Sequence, residues 1–230
     1  MFRFKQFIIH QDKCAMKVCT DSCILGAWAN VHPEEKVLDI GAGTGLLSLM
    51  LAQRAQASFY AVEIDRDTAS QAAENFHESP FSSYISVFHT DIKDFPETGF
   101  DLIISNPPFF ENQLQNPNQE KKAVRHTIHL SFEKLASVIQ EKLLPDGRAV
   151  ILLPPDSMRK FESTMFQQDL FPAQRLLIRH TAETKVIREI TEFRKIKGVI
   201  NETELAIYKP DGLTYNDDFK ALLKDYYLIF

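Results

Sequence analysis

Lys36-Val37-Leu38-Asp39-Ile40-Gly41-Ala42-Gly43-Thr44-Gly45 is a compact apolar run that ends in alternating glycines, and Leu46-Leu47-Ser48-Leu49-Met50-Leu51-Ala52 follows without a break. The first five residues read as a buried strand and the last seven as a helix. Strand, glycine loop and helix in that order open a βαβ unit. Glycines in such a loop permit a tight turn and let a ligand approach the backbone closely. A dinucleotide-binding loop has Gly or Ala at the third site of G-x-G-x-x-G, and Leu46 stands there instead. The loop therefore points to a parallel α/β sheet that binds something other than a nicotinamide dinucleotide.

The chain beyond the loop continues the alternation. Ser58-Phe59-Tyr60-Ala61-Val62 reads as the next strand, ending in Glu63, a carboxylate placed to bind both hydroxyls of a ribose. Asp65 is a competitor for that role and suits better the N-cap of a helix over 66–77. Tyr84 to His89 is a third strand, with Asp91 just beyond it, where it can accept from an adenine amine or simply make a turn. Phe100 to Ser105 is a fourth strand, stopped by Asn106-Pro107-Pro108-Phe109. At the carboxyl edge of the sheet, where ligands of open α/β folds bind, the Asn106 side-chain carbonyl and the Pro107 backbone carbonyl offer two acceptors. Such a pair suits an amino group conjugated to an aromatic ring, whose lone pair is delocalised and poorly nucleophilic. Phe109, with Phe110 behind it, offers a flat face for an extruded base. The bland alternative is a proline-terminated strand with a core phenylalanine.

Gln113 to Lys122 reads as a loop able to order over a substrate. A helix is expected over 132–143, a strand over 148–153 and a helix over 156–168. Three further strands, 174–179, 186–193 and 204–208, lack helices between them and are expected to be antiparallel. The tail, 219–227, has helical spacing. Upstream of the glycine loop, residues 4–9 suggest a short strand, and 23–29 a helix that Thr20, Asp21 or Ser22 would cap. A helix start favours an anion, so Thr20 is a candidate to receive a carboxylate.

The composition is that of an ordinary globular protein of 230 residues, 44% hydrophobic and 25% charged. No apolar run reaches the length of a membrane helix, and the first residues lack the apolar core of a signal peptide, so a cytoplasmic protein without a membrane partner is expected. Cys14, Cys19 and Cys23 are odd in number and match no familiar metal-ligand spacing, so free thiols and no metal are expected. Net charge is −5, and residues 60 to 111 hold ten acids against two bases. Bases gather elsewhere: Lys121, Lys122, Arg125 and His126 follow the Asn-Pro-Pro-Phe stretch, and a second group runs from Arg175 to Lys197. Either could be a solvated face or a track for a phosphate backbone.

Val37 to Gly45 resembles the first motif of class I S-adenosylmethionine-dependent methyltransferases, and Asn106-Pro107-Pro108-Phe109 resembles their amino-group motif. Phe4-Lys5-Gln6-Phe7, Gln11-Asp12-Lys13, Met16-Lys17-Val18, Thr20-Asp21 and Leu25-Gly26-Ala27-Trp28 resemble the amino-terminal signature of the bacterial valine-tRNA adenine-N6 methyltransferases. Arg125-His126, Leu130-Ser131-Phe132 and Asp225-Tyr226-Tyr227-Leu228 fit the same family, with Cys19 standing where it typically has Gly. The resemblance implies a Rossmann-like, mainly parallel seven-stranded sheet with antiparallel last strands and helices on both faces. Residues 1–32 would form a hairpin and helix packing over the cofactor site, and 33–230 one methyltransferase domain, acting as a monomer. It implies S-adenosyl-L-methionine bound by Lys17, Thr20, Asp39, Gly41, Gly43, Gly45, Glu63 and Asp91. Asn106, Pro107, Pro108 and Phe109 would serve catalysis, and Lys121, Lys122, Arg125 and His126 would contact the RNA, a valine tRNA. Methylation of a protein glutamine amide or of a ribosomal RNA amine uses similar motifs. Hydride transfer and a catalytically silent RNA-binding module are the readings from other classes.

Overall fold

The computed structural model describes residues 1–14, 16–107 and 130–230. Its strands are β1 (Phe2–Arg3), β2 (Ile8–Ile9), β3 (Lys36–Ile40), β4 (Ser58–Glu63), β5 (Ile85–His89), β6 (Phe100–Ser105), β7 (Leu143–Leu153), β8 (Phe171–Arg179), β9 (Val186–Arg194) and β10 (Asn201–Ala206). Its helices are α1 (Thr20–Trp28), α2 (Leu46–Ala52), α3 (Arg66–His77), α4 (Phe132–Lys142), α5 (Pro155–Phe166) and α6 (Asp217–Leu223).

Eight strands form one sheet in the order β10-β8-β9-β7-β6-β3-β4-β5, one more than expected. Only β9 runs against its neighbours, and β10 lies parallel to β8. This corrects the expectation that the last three strands alternate in direction. After β9 the chain passes beneath β8 and comes up on its far side, so β8 slots between two strands that follow it in sequence. Arg175–Glu202 and Arg179–Glu204 pairs tie β10 to β8 across this added edge, and exposed Asn201 to Glu204 leave the edge polar, which discourages further pairing.

Central strands are apolar on both faces because helices cover both. The period-2 alternation sends Val37, Leu102, Ile104, Val150 and Leu152 to the face shared with α1, α2, α3 and α6. Leu38, Ile40, Ile103, Ala149 and Ile151 go to the face of α4 and α5. Asp39 shares the α2 face with Val37, which brings its carboxylate under that helix. Phe4, Phe7 and Ile9 join the first of these cores together with Cys23, Ile24 and Leu25 of α1. The two ends of the chain meet there: the Lys5 amide donates to Tyr226 O at 2.9 Å, and Lys5 Nζ to Phe230 O at 2.8 Å. Among the described residues no helix is long and apolar enough to cross a membrane.

Local expectations held where the signal was local. Asp65 caps α3 by accepting from the Thr68 amide at 2.8 Å. At α1, however, the cap position falls on Cys19, and Thr20 is the first helical residue. Cys19 has φ −131° and ψ 158°, extended backbone open to any residue, so the departure from glycine leaves the chain path unstrained. Of the expected strand over 4–9 only Ile8–Ile9 is extended and paired, Phe2 opposite Ile9 and Arg3 opposite Ile8, while 4–7 turn the chain between β1 and β2.

Candidate active site

The carboxyl ends of four adjacent strands bring the predicted residues to one edge. Ile40 pairs with Val62 and Glu63 with His89, while Ser105 Oγ donates to Ile40 O at 2.8 Å across β6 and β3. Asp91, Glu63, Gly41 and Asn106 therefore follow one another along the edge in that order. Strand spacing of about 4.8 Å spreads the four ends over roughly 14 Å, an extended edge rather than a point.

The glycine loop forms the middle of this edge. The amides of Gly41 and Ala42 donate to Val62 O at 2.9 and 3.1 Å, which folds the loop back over β4. Gly41 has φ +72°, and a Cβ built there meets nothing within 4 Å, so its outer face is open to a ligand. Gly45 has φ +81°, and a Cβ there would lie 2.2 Å from Phe76 Cε1, so close packing against α3 is what requires that glycine. Gly43 donates its amide to Glu63 Oε2 at 3.0 Å, and Asp65 donates to Oε1 at 3.0 Å. Each Glu63 oxygen is thereby aimed, and each keeps a lone pair for a hydroxyl.

The other acids behave differently from one another. Asp91 accepts from the Lys93 amide at 3.0 Å and pairs with its ammonium at 2.9 Å. Burial opposes ionisation of Asp91, but the amide and ammonium of Lys93 outweigh it and hold the carboxyl below the usual range. Asp39 is buried; its Oδ2 accepts from Ser48 Oγ at 2.8 Å and Ser48 N at 3.3 Å, while Oδ1 has no partner among the described residues. Burial pushes this carboxyl up to about 7 against the two Ser48 bonds, with Glu63 adding to the rise. A buried oxygen without a donor fits a cationic or amine-bearing ligand.

Asn106 carries the second such acceptor. Its Nδ2 donates to Ser22 Oγ at 2.9 Å, and its Oδ1 is buried with no partner among the described residues. Pro107 beside it is buried. Ser22 is the residue that sequence reasoning missed in this role, having been weighed only as a cap. It lies 84 positions away, and no local pattern could have found it. Its neighbour Asp21 pairs with Arg188 of β9 at 2.9 Å, bracing the start of α1 against the sheet.

Lys17 and Thr20 border the same region. Lys17 Nζ donates to Cys14 O at 3.0 Å and to Gln11 O, so two of its three donors hold the loop before α1. Thr20 is exposed at the first position of α1. The second basic group is largely occupied inside the fold. Arg175 pairs with Glu162 and Glu202, Arg179 with Glu204, Arg188 with Asp21 and Arg194 with Glu192, and Lys195 donates to the carbonyls of Gln140 and Leu143 at 2.8 Å. These pairings favour an internal scaffold over a phosphate track. Pro108, Phe109, the Gln113–Lys122 loop and the bases Lys121, Lys122, Arg125 and His126 lie outside the described residues. Cys14 and Cys23 are buried, and Cys19 is exposed.

A family model described as the methyltransferase small domain matches residues 16–141. A Dyadobacter fermentans protein named tRNA1(Val) (adenine(37)-N6)-methyltransferase is 44% identical over 100% of this chain and 98% of its own length. One from Bacteroides fragilis with the same name is 38% identical, covering 99% of this chain and 97% of its own. Among solved structures, a methyltransferase from Pyrococcus furiosus shares the fold with a TM-score of 0.61 at 20% identity, over 82% of this chain and 88% of its own.

Proposed function

We propose, for a chain that belongs to the methyltransferase small-domain family and within it to the bacterial valine-tRNA adenine-N6 methyltransferases, that it methylates the exocyclic N6 of adenine 37 in the anticodon loop of valine tRNA. The observation that carries this reading is Asn106 Oδ1, a buried acceptor without a partner among the described residues, held at the end of β6. An amine hydrogen directed at that oxygen satisfies it, and the Pro107 carbonyl next along the chain is assigned to the second hydrogen. Two acceptors on one nitrogen orient its lone pair away from the ring plane, toward the methyl donor.

S-adenosyl-L-methionine, when bound, supplies a methyl group already activated by a cationic sulfonium. Gly41 and Gly43 are assigned to its amino-acid part, with Gly45 shaping the loop. Glu63 is assigned to its ribose, Asp91 to its adenine and Asp39 to its positive charge. Lys17 and Thr20 are assigned to its carboxylate from the start of α1, and residues 1–32 to the closure of that side of the site. Asp91 must share its oxygens with Lys93 in this arrangement. On sequence grounds, Phe109 stacks on the flipped base and Lys121, Lys122, Arg125 and His126 contact the tRNA backbone in the cytoplasm. Proximity and orientation supply much of the rate. No side chain has to act as a strong base, because the amine becomes acidic as it gains the methyl group and its proton can pass to water.

The test is methyl transfer to tRNA lacking its own N6 modification, followed by nucleoside analysis. The unaltered protein places N6-methyladenosine in valine tRNA, and Asn106→Ala lowers transfer by at least about a hundredfold, comparable to loss of one preorganised polar contact, with cofactor affinity nearly intact. A near-normal rate in Asn106→Ala removes the assignment of Asn106. Cofactor binding without transfer to tRNA moves the substrate to a protein amide or ribosomal RNA.

A further inference from the structure

We propose that Ser22 is a positioning residue for methyl transfer, holding the Asn106 amide with its oxygen toward the acceptor amine. The inference rests on the functional reading above and adds to it a residue from α1. An asparagine amide is nearly symmetric in shape, and its terminal torsion has two broad wells. Turned the wrong way, it would set its own NH2 against the NH2 of the base. The productive orientation therefore needs an acceptor on the inner side. Ser22 Oγ provides one at 2.9 Å from Asn106 Nδ2.

A hydroxyl can also donate, so the direction of its single hydrogen matters. Cys19 Sγ lies 3.2 Å from Ser22 Oγ, on the preceding turn of chain. With the hydroxyl hydrogen directed at that sulfur, the oxygen lone pairs are left for Asn106, and the chain Asn106 Nδ2–H to Ser22 O–H to Cys19 Sγ has one polarity throughout. That polarity leaves Asn106 Oδ1 as the free end, and Oδ1 is the atom that has no partner among the described residues. Ser22 is itself held from both sides: it is buried, and adjacent Asp21 is anchored to Arg188 at 2.9 Å. The orientation of an atom at the end of β6 is thus set by a helix that precedes the sheet in sequence.

Removing the hydroxyl leaves a part-buried NH2 without its acceptor in the productive orientation, which is worth about a tenfold effect on transfer. The experiment compares single-turnover and steady-state transfer to unmodified valine tRNA for the unaltered protein, Ser22→Ala, Ser22→Thr, Asn106→Ala and the Ser22→Ala/Asn106→Ala double variant. Ser22→Ala is expected to lower kcat about tenfold while KM for cofactor and for tRNA stay within about twofold. Ser22→Thr, which keeps the hydroxyl, recovers most of the loss, and adding Ser22→Ala to Asn106→Ala changes the residual rate by less than about twofold. Full kcat in Ser22→Ala overturns the role, as does an equal loss in both Asn106 backgrounds. A loss that falls on KM alone, with no rescue by threonine, reassigns Ser22 to packing and also overturns it. Where the Asn106→Ala rate is too low to measure, the threonine rescue and the kcat–KM split decide. If the unaltered protein transfers nothing to tRNA, the functional reading itself falls; if it does and Ser22→Ala matches it, only the positioning role falls.

Discussion

Asp39 should make the stability of the protein fall as pH rises from about 4 to about 7. Its carboxyl is buried, with one oxygen bonded to Ser48 and the other without a partner among the described residues, and burial pushes its ionisation up to about 7 from 3.8. In the unfolded chain the same group ionises near its ordinary value. Between those two values the folded protein holds one more proton than the unfolded one, so raising the pH favours unfolding by about 1.4 kcal/mol per pH unit. The stabilisation is complete below about pH 4 and gone above about pH 7, a total of roughly 4 kcal/mol. Other carboxylates titrate in the same window, so the measurement must be differential. Asp39→Asn keeps the shape and an acceptor for Ser48 but removes the charge. Urea unfolding at pH 5, 6, 7 and 8, followed by the fluorescence of the single tryptophan, Trp28, gives the stability difference between variant and parent. That difference should move in favour of the variant by roughly 2 kcal/mol between pH 5 and pH 7 and then level off. Any fixed cost of the asparagine NH2 cancels in the change. A difference that stays flat within about 0.5 kcal/mol would refute the claim that Asp39 is held protonated by burial.

Gly45→Ala places a methyl group 2.2 Å from Phe76 Cε1 at a φ of +81°, and strain plus overpacking should cost roughly 2–4 kcal/mol; a thermal melt within about 2 °C of the parent would refute the loop conformation. Arg148→Met should cost about 3–5 kcal/mol because it leaves the Glu35 carboxylate, largely buried and otherwise paired at 2.8 and 2.9 Å, without its counter-ion. The double variant with Glu35→Met should recover much of that loss in denaturant unfolding, and equal stabilities for the single and double variants would show that the charge imbalance is not the cause.

Much of the site was legible because its signals are local. A strand that runs into alternating glycines and a helix needs only a dozen consecutive residues to be recognised. The position of Glu63 and Asp91 at the candidate site was legible because parallel strands all end at the same edge, so an acid after each strand stands along the edge that carries the glycine loop. Asp65 was separated from Glu63 by a cap that closes over three residues. The misses share one physical feature: each depends on a contact between distant segments. Arg175 and Arg179 looked like part of a cationic track because their partners lie across strands or on α5, and cross-strand pairing leaves no period in the sequence. The direction of β10 depends on β8 being inserted between β9 and β10, which a reading of consecutive strands cannot foresee.

The same distinction explains why α1 belongs to the chemistry and not only to the closure of the fold. The sheet can deliver Asn106 to the edge, since Ser105 is bonded to Ile40 and β6 lies beside β3. It cannot choose which way the amide faces, because the inner half of that amide meets Ser22 of α1. α1 in turn is fixed by Asp21 on Arg188, by Arg54 donating to Gly26 O at 2.8 Å, and by a core of Cys23, Ile24 and Leu25. Each of these contacts joins the amino-terminal segment to a different part of the domain. Weakening one should therefore change the rate of transfer before it unfolds the sheet, because the amide responds to small displacements of α1 while the sheet keeps its own hydrogen bonds.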